Sequence, residues 1–122
     1  MPIERYSLSG PHSLHDAWLE SLEILEPSKG ARSEQRATRI TLQLLGAYHN
    51  CMHHLVYLGV RRYQIDAPAS GGGHGDLIIH ELRLDDDGTL AHELLFSSGG
   101  VIQIACDDLQ YTRLPRGRGP AA

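Results

Sequence analysis

Eight histidines and two cysteines are spread along this 122-residue chain, and several recur at spacings that one sheet face could gather. His80, His92 and Cys106 are the sharpest set. In segment 76–84, Ile78, His80, Leu82 and Leu84 share one parity. Leu90, His92, Leu94 and Phe96 share a parity in 90–96, as do Ile102, Ile104 and Cys106 in 101–111. Strand side chains alternate between faces, and a one-residue slip inverts every one, so these apolar sets constrain the register. A tight loop at Asp86–Gly88 pairs Leu84 with Leu90, Leu82 with His92 and His80 with Leu94. A tight loop at Ser98–Gly100 pairs Phe96 with Ile102, Leu94 with Ile104 and His92 with Cys106. His92 then faces Cys106 with Cβ atoms roughly 5 Å apart, and His80 lies diagonal to them at about 7 Å. Two imidazoles and a thiolate so placed can hold zinc with one coordination position open, the start of a metal-dependent enzyme. The same three residues also suit a core. Cysteine packs as a small hydrophobe, and a buried neutral histidine needs only a partner for each nitrogen. The core reading is preferred and calls for no cofactor; zinc is its rival.

Three further sets could do chemistry. The same register sets Glu81 against Glu93, and facing carboxylates form an acid/base pair when one pKa is raised. Arg83, one pair along, could instead neutralise them on a solvated face, which is preferred. His49, Cys51 and His53 share a parity, with His54 adjacent, so one strand could carry three ligands; the preferred reading is polar protection of an edge strand. His15-Asp16 reads as a turn or cap, because neighbouring residues on a strand face opposite ways. The stretch Pro68–Gly75 contains four glycines, but no Lys and no helical pattern follow it, as a phosphate-binding loop requires.

These residues must be positioned by strands. Ile40, Leu42 and Leu44 alternate with Thr41 and Gln43, the period of a half-buried strand. A turn near His49-Asn50 leads into a long strand from about Met52 to Ile65. Val56, Leu58 and Val60 have one parity there, Tyr63 and Ile65 the other, so a bulge is expected near Arg61-Arg62. Three strands follow: Asp76–Leu84, Leu90–Phe96 and Val101 to about Tyr111, joined by loops whose glycines suit positive φ. Residues 27–36 read as a loop. Ser13 to Asp16 fits a capping box opening a short helix with Leu14, Trp18, Leu22 and Leu25 on one stripe. The alternative, which we adopt, is a turn at Leu14-His15-Asp16 and a strand from Trp18 to Leu25, with Trp18, Leu22 and Ile24 on one face and Glu20 a polar misfit. Residues 1–12 read as an irregular entry.

Length and composition fit one domain, residues 1–114, with a flexible tail over 115–122. A hydrophobic fraction of 41% with 21% charged residues supports a packed core. The net charge of −4 argues against nucleic acid, whose phosphates demand a basic patch; Arg113, Arg116 and Arg118 fall in or beside the tail. No run of about 20 apolar residues is present to span a bilayer, and residues 1–10 lack a signal-peptide pattern. A cytoplasmic protein with Cys51 and Cys106 as free thiols is expected.

The order of features, Leu14-His15-Asp16 with Trp18, then His80-Glu81 and His92-Glu93 on successive strands, resembles small bacterial β-sheet families of unknown function. It is more loosely similar to some immunity proteins of contact-dependent toxin systems. The resemblance spans about residues 14–111; it implies an antiparallel sheet and a protein partner, and no catalytic residues. The expectation is therefore a mainly β fold, an antiparallel meander of about six strands curved into a half-barrel or open sandwich. Its expected function is a non-enzymatic protein-binding module that engages a protein partner or itself. The rival is a small metal-dependent or acid/base enzyme built on His80, His92 and Cys106.

Overall fold

Alternation of apolar and polar residues dictates most of what forms. The computed structural model describes residues 14–29, 32–68 and 73–115, and every strand pair among them is antiparallel. Residues 1–13 (the entry segment and the capping Ser13), 30–31, 69–72 of the glycine-rich loop and 116–122 of the tail lie outside the described residues. The strands are β1 (Trp18–Leu25), β2 (Ser28–Lys29), β3 (Arg32–Arg36), β4 (Arg39–Leu45), β5 (Cys51–Leu58), β6 (Arg62–Asp66), β7 (Leu77–Leu84), β8 (Leu90–Phe96), β9 (Val101–Cys106) and β10 (Asp108–Pro115). Eight of them build two four-stranded sheets, β1-β4-β5-β10 and β6-β9-β8-β7, and β2 pairs with β3. Their inner faces share a core that includes Ile40, Leu42, Leu44, Leu55, Leu94, Ile102, Ile104 and Leu109. The expected mainly β, antiparallel fold is what forms, open rather than closed into a barrel.

Six expected long strands become eight because two of them bend. The long strand beginning near Met52 breaks at Gly59–Arg61 into β5 and β6, close to where its parity switches. Its neighbour breaks at Asp107 into β9 and β10. The two bends lie side by side. The Asp107 N–H donates to the carbonyls of Leu58 (3.0 Å) and Gly59 (3.1 Å), and the Arg61 N–H to that of Ala105 (2.7 Å). Gly59 has φ of 62° there, and a Cβ would collide with the Asp107 carboxylate. This bent ribbon, β5–β6 against β10–β9, passes from one sheet to the other. The connection after β6 therefore crosses to an outer strand, β7, rather than to a neighbour.

Four local readings of the sequence are settled or corrected. Leu14-His15-Asp16 is a turn, with Asp16 at φ of 65°, and β1 follows; the helix alternative is not taken. A bulge between Leu19 and Ser21 removes the Glu20 misfit. It turns Leu19, Leu22 and Ile24 toward the core and leaves Trp18 46% exposed, so Trp18 does not join the inward set. Residues 27–36 are not simply a loop, since the β2–β3 hairpin falls there; its polar run offered no alternation to read. On β5 the inward parity is that of Cys51, His53, Leu55 and Tyr57, while Val56 and Leu58 are only half-buried.

Candidate functional site

The histidines expected to matter lie between the sheets. The first hairpin has the expected register: Leu84 faces Leu90, Leu82 faces His92, and His80 faces Leu94. The second is shifted by two. Phe96 N–H donates to Gly100 O (2.9 Å), which places the loop at Ser97–Gly99 rather than Ser98–Gly100. His92 consequently faces Ile104, and Cys106 faces Leu90. A shift of two preserves parity, so every side chain keeps its expected face, but Cys106 moves away from His92. Among the described residues no group of three His, Cys, Asp or Glu side chains is arranged to hold a metal ion.

What the register does assemble is a hydrogen-bonded chain. His92 Nδ1 lies 2.7 Å from the Tyr57 hydroxyl, and His92 Nε2 lies 3.0 Å from His80 Nδ1. One polarity supplies a donor and an acceptor to both bonds. Tyr57 O–H donates to His92 Nδ1, His92 Nε2–H donates to His80 Nδ1, and half-buried His80 ends the chain. His92 is 2% exposed and Tyr57 fully buried. Burial, assisted by the neighbouring His80 charge, pushes the His92 pKa down to about 3. Burial also lowers His80 and raises Tyr57 well above its ordinary value, with Cys106 adding to the latter. The Cys106 thiol is pushed up to about 12, mainly by burial. All four groups are thus held neutral at pH 7, the state suited to a satisfied polar core. No local pattern singles out Tyr57, although its parity with His53 and Leu55 on one strand is readable.

A second Tyr–His pair lies on the other sheet. His53 Nδ1 is 2.7 Å from the Tyr111 hydroxyl, and His53 Nε2 is 3.9 Å from Cys51 Sγ. Cys51 and His53 were expected on an edge strand. They are instead buried on β5, which is central between β4 and β10. Gly46 closes over this pair; a Cβ there would sit 2.6 Å from Cys51 Sγ. His49 is separate, its ring edge-on to Trp18 at 5.2 Å. Both cysteines are free, as expected. His15 Nδ1 and Asp16 Oδ2 are 3.2 Å apart on an exposed turn.

The outer face of the β6-β9-β8-β7 sheet carries the other expected set. Glu81 faces Glu93 directly. Gln103 Nε2 donates to Glu93 Oε2 at 2.7 Å, and Arg83 stands 4.0 Å from Glu81. Beside this row, Ala91 faces Ala105, flanked by Arg83 and Arg62 on the outer strands. The small alanines leave an open groove of about 340 Å³ between the charged walls. This matches the preferred reading of a solvated face with Arg83 in attendance.

The most exposed apolar stretch of strand is β7, an edge of its sheet. A bulge between Leu77 and Ile79 brings both Ile78 and Ile79 to the surface, 50% and 57% exposed, and Leu84 is 52% exposed. Ile78 had been expected on the inward face; the bulge is what displaces it. β1 approaches β7 only at its start, where Trp18 bridges Asp76, the Trp18 indole N–H bonds the Asp76 carboxylate, and Leu77 N–H donates to Ala17 O at 2.8 Å. Among the described residues, no helix is long and apolar enough to cross a membrane. No protein-family model matches the chain, and neither a curated protein nor a solved structure resembles it closely enough to count as a relative.

Proposed function

We propose that this domain is a non-enzymatic binding module that engages another polypeptide along the β7 edge. The observation that carries the reading is that edge itself. Ile78, Ile79 and Leu84 are each at least half exposed on it, and beyond Leu77 no described strand pairs with its outer side. An open apolar edge is a template for an added strand, and natural proteins normally blunt such edges unless they are used. The histidine chain supports a structural rather than a catalytic role. His92 spends both ring nitrogens on Tyr57 and His80, leaving neither for a substrate or a metal.

The test is affinity capture from the source cell with wild type and two surface variants. Ile79→Lys puts a charge on the edge; Glu23→Lys alters the exposed outer face of β1 on the other sheet. A partner held by wild type and Glu23→Lys but lost by Ile79→Lys is the expected result. Retention by Ile79→Lys, with loss by Glu23→Lys, would move the surface elsewhere and defeat the reading.

A further inference from the structure

Resting on the reading of β7 as a binding edge, we infer that its occupant is a second copy of this chain. The two β7 strands pair antiparallel about a two-fold axis through Leu82.

Backbone direction comes first. Asp85 N–H donates to Thr89 O at 2.8 Å, which makes Asp85 and Thr89 a hydrogen-bonded pair. Such pairs alternate along an antiparallel ladder. Arg83, Glu81 and Ile79 therefore bond toward β8, and the N–H and C=O groups of His80, Leu82 and Leu84 point away from it. In the register centred on Leu82, these outward residues meet each other. Leu82 faces Leu82 of the second copy, and His80 faces Leu84 of the second copy on either side. That gives about six main-chain hydrogen bonds across the axis.

Side chains select this register over its neighbours. Glu81 falls opposite Arg83 of the second copy, twice by symmetry, in non-hydrogen-bonded pairs, where side chains come closest. Glu81 has reason to accept a second cation. Within its own chain it faces Glu93 directly, and its nearest guanidinium stands at 4.0 Å. The aliphatic stem of the incoming Arg83 lies diagonal to exposed Ile79, and Leu84 is covered by the pairing. A two-fold axis through Glu81 would set Glu81 against itself. One through His80 would set Glu81 against Ile79 and leave Arg83 without an acid. β7 contains neither Lys nor Pro, the residues that commonly block edge pairing. The result is a continuous eight-stranded sheet of two chains, with the two Glu81–Glu93 grooves on one surface.

Sedimentation equilibrium of the full chain, from low to high micromolar concentration at low salt, tests this. Wild type is expected to dimerise. Glu81→Arg and Arg83→Glu should each weaken the dimer at least tenfold, since each places like charges across the axis. An equimolar mixture of these two variants should recover it, because one chain then presents two cations to the other's two anions. The double variant should also regain self-association. Circular dichroism confirms that each variant is folded. A wild type that stays monomeric overturns the second copy as occupant, while a captured partner sensitive to Ile79→Lys would still uphold the binding edge. Swaps that leave the dimer unchanged, or a mixture that fails to recover it, overturn this register.

Discussion

Removing a single oxygen from Tyr57 isolates the polar chain in the core. Phenylalanine fills the same space, so Tyr57→Phe creates no cavity. It does remove the partner of His92 Nδ1, which is 2.7 Å away in a residue only 2% exposed. A buried polar atom left without a partner costs about 1–3 kcal/mol. For a domain of this size each kcal/mol lowers the melting temperature by about 3–6 °C. His92→Leu leaves the Tyr57 hydroxyl stranded and should cost a similar amount. Combining the two replaces both buried partners with apolar groups, which can be nearly neutral, and Nδ1 of half-buried His80 can turn to water. The double variant should therefore be more stable than the sum of the single losses predicts, and no worse than either alone. Thermal unfolding of the four proteins in one buffer at pH 7.5 measures the cycle. A Tyr57→Phe variant that melts with wild type, or a double variant whose losses simply add, would refute the hydrogen-bonded chain.

Acid should weaken the fold through the same residues. The folded His92 pKa is about 3, against about 6.5 unfolded, so below pH 6.5 the unfolded chain binds the additional proton. Stability is then full above about pH 6.5 and declines as pH falls toward 3, by up to about 1.4 kcal/mol per pH unit for His92 alone. His80, lowered in the same direction, steepens the decline, and urea unfolding of His92→Leu between pH 4.5 and 7.5 should show a shallower one. Cys106, 1% exposed with its thiol pushed up to about 12, should resist an aromatic disulfide reagent at pH 7.5 until the protein is denatured; rapid native modification of that residue would contradict its burial. Gly46→Ala should destabilise measurably in a melting scan, because its Cβ would meet Cys51 Sγ at 2.6 Å in the packed core.

Parity was the most legible feature of the sequence. It placed His80, His92 and Cys106 on their correct faces, and the apolar match at Asp86–Gly88 fixed the first hairpin and the Glu81–Glu93 pair. The second hairpin slipped because parity is blind to a shift of two. Ser97, Ser98, Gly99 and Gly100 offer two equally plausible three-residue loops, and only the Phe96–Gly100 pairing decides between them. The bend at Gly59–Arg61 announced itself through a parity switch. Its counterpart at Asp107 did not, although the adjacent carboxylates Asp107-Asp108 within the strand were a usable sign. Tyr57 and Tyr111 were missed as partners because a tyrosine hydroxyl finds its histidine across sheets or strands, 35 and 58 residues away. The bulge at Glu20 showed only as a polar misfit, and the one at Ile78 left no mark on the local pattern, because both arise from pairing with other strands. The β5 histidines were misplaced for a related reason: whether a strand is central or at an edge is a property of topology, which no single segment carries.

Amide hydrogen exchange along β7, read residue by residue as a function of protein concentration, tests the central claim most directly. At low concentration the amides of Ile79, Glu81 and Arg83, which bond toward β8, should exchange slowly, while those of His80, Leu82 and Leu84 exchange fast. As concentration rises, the second set should become protected and the first should change little. Protection of His80, Leu82 and Leu84 at every concentration would mean that another part of the chain already covers the edge. Fast exchange of the three at the highest concentration, and with any captured partner bound, would mean that β7 is not the surface this protein uses.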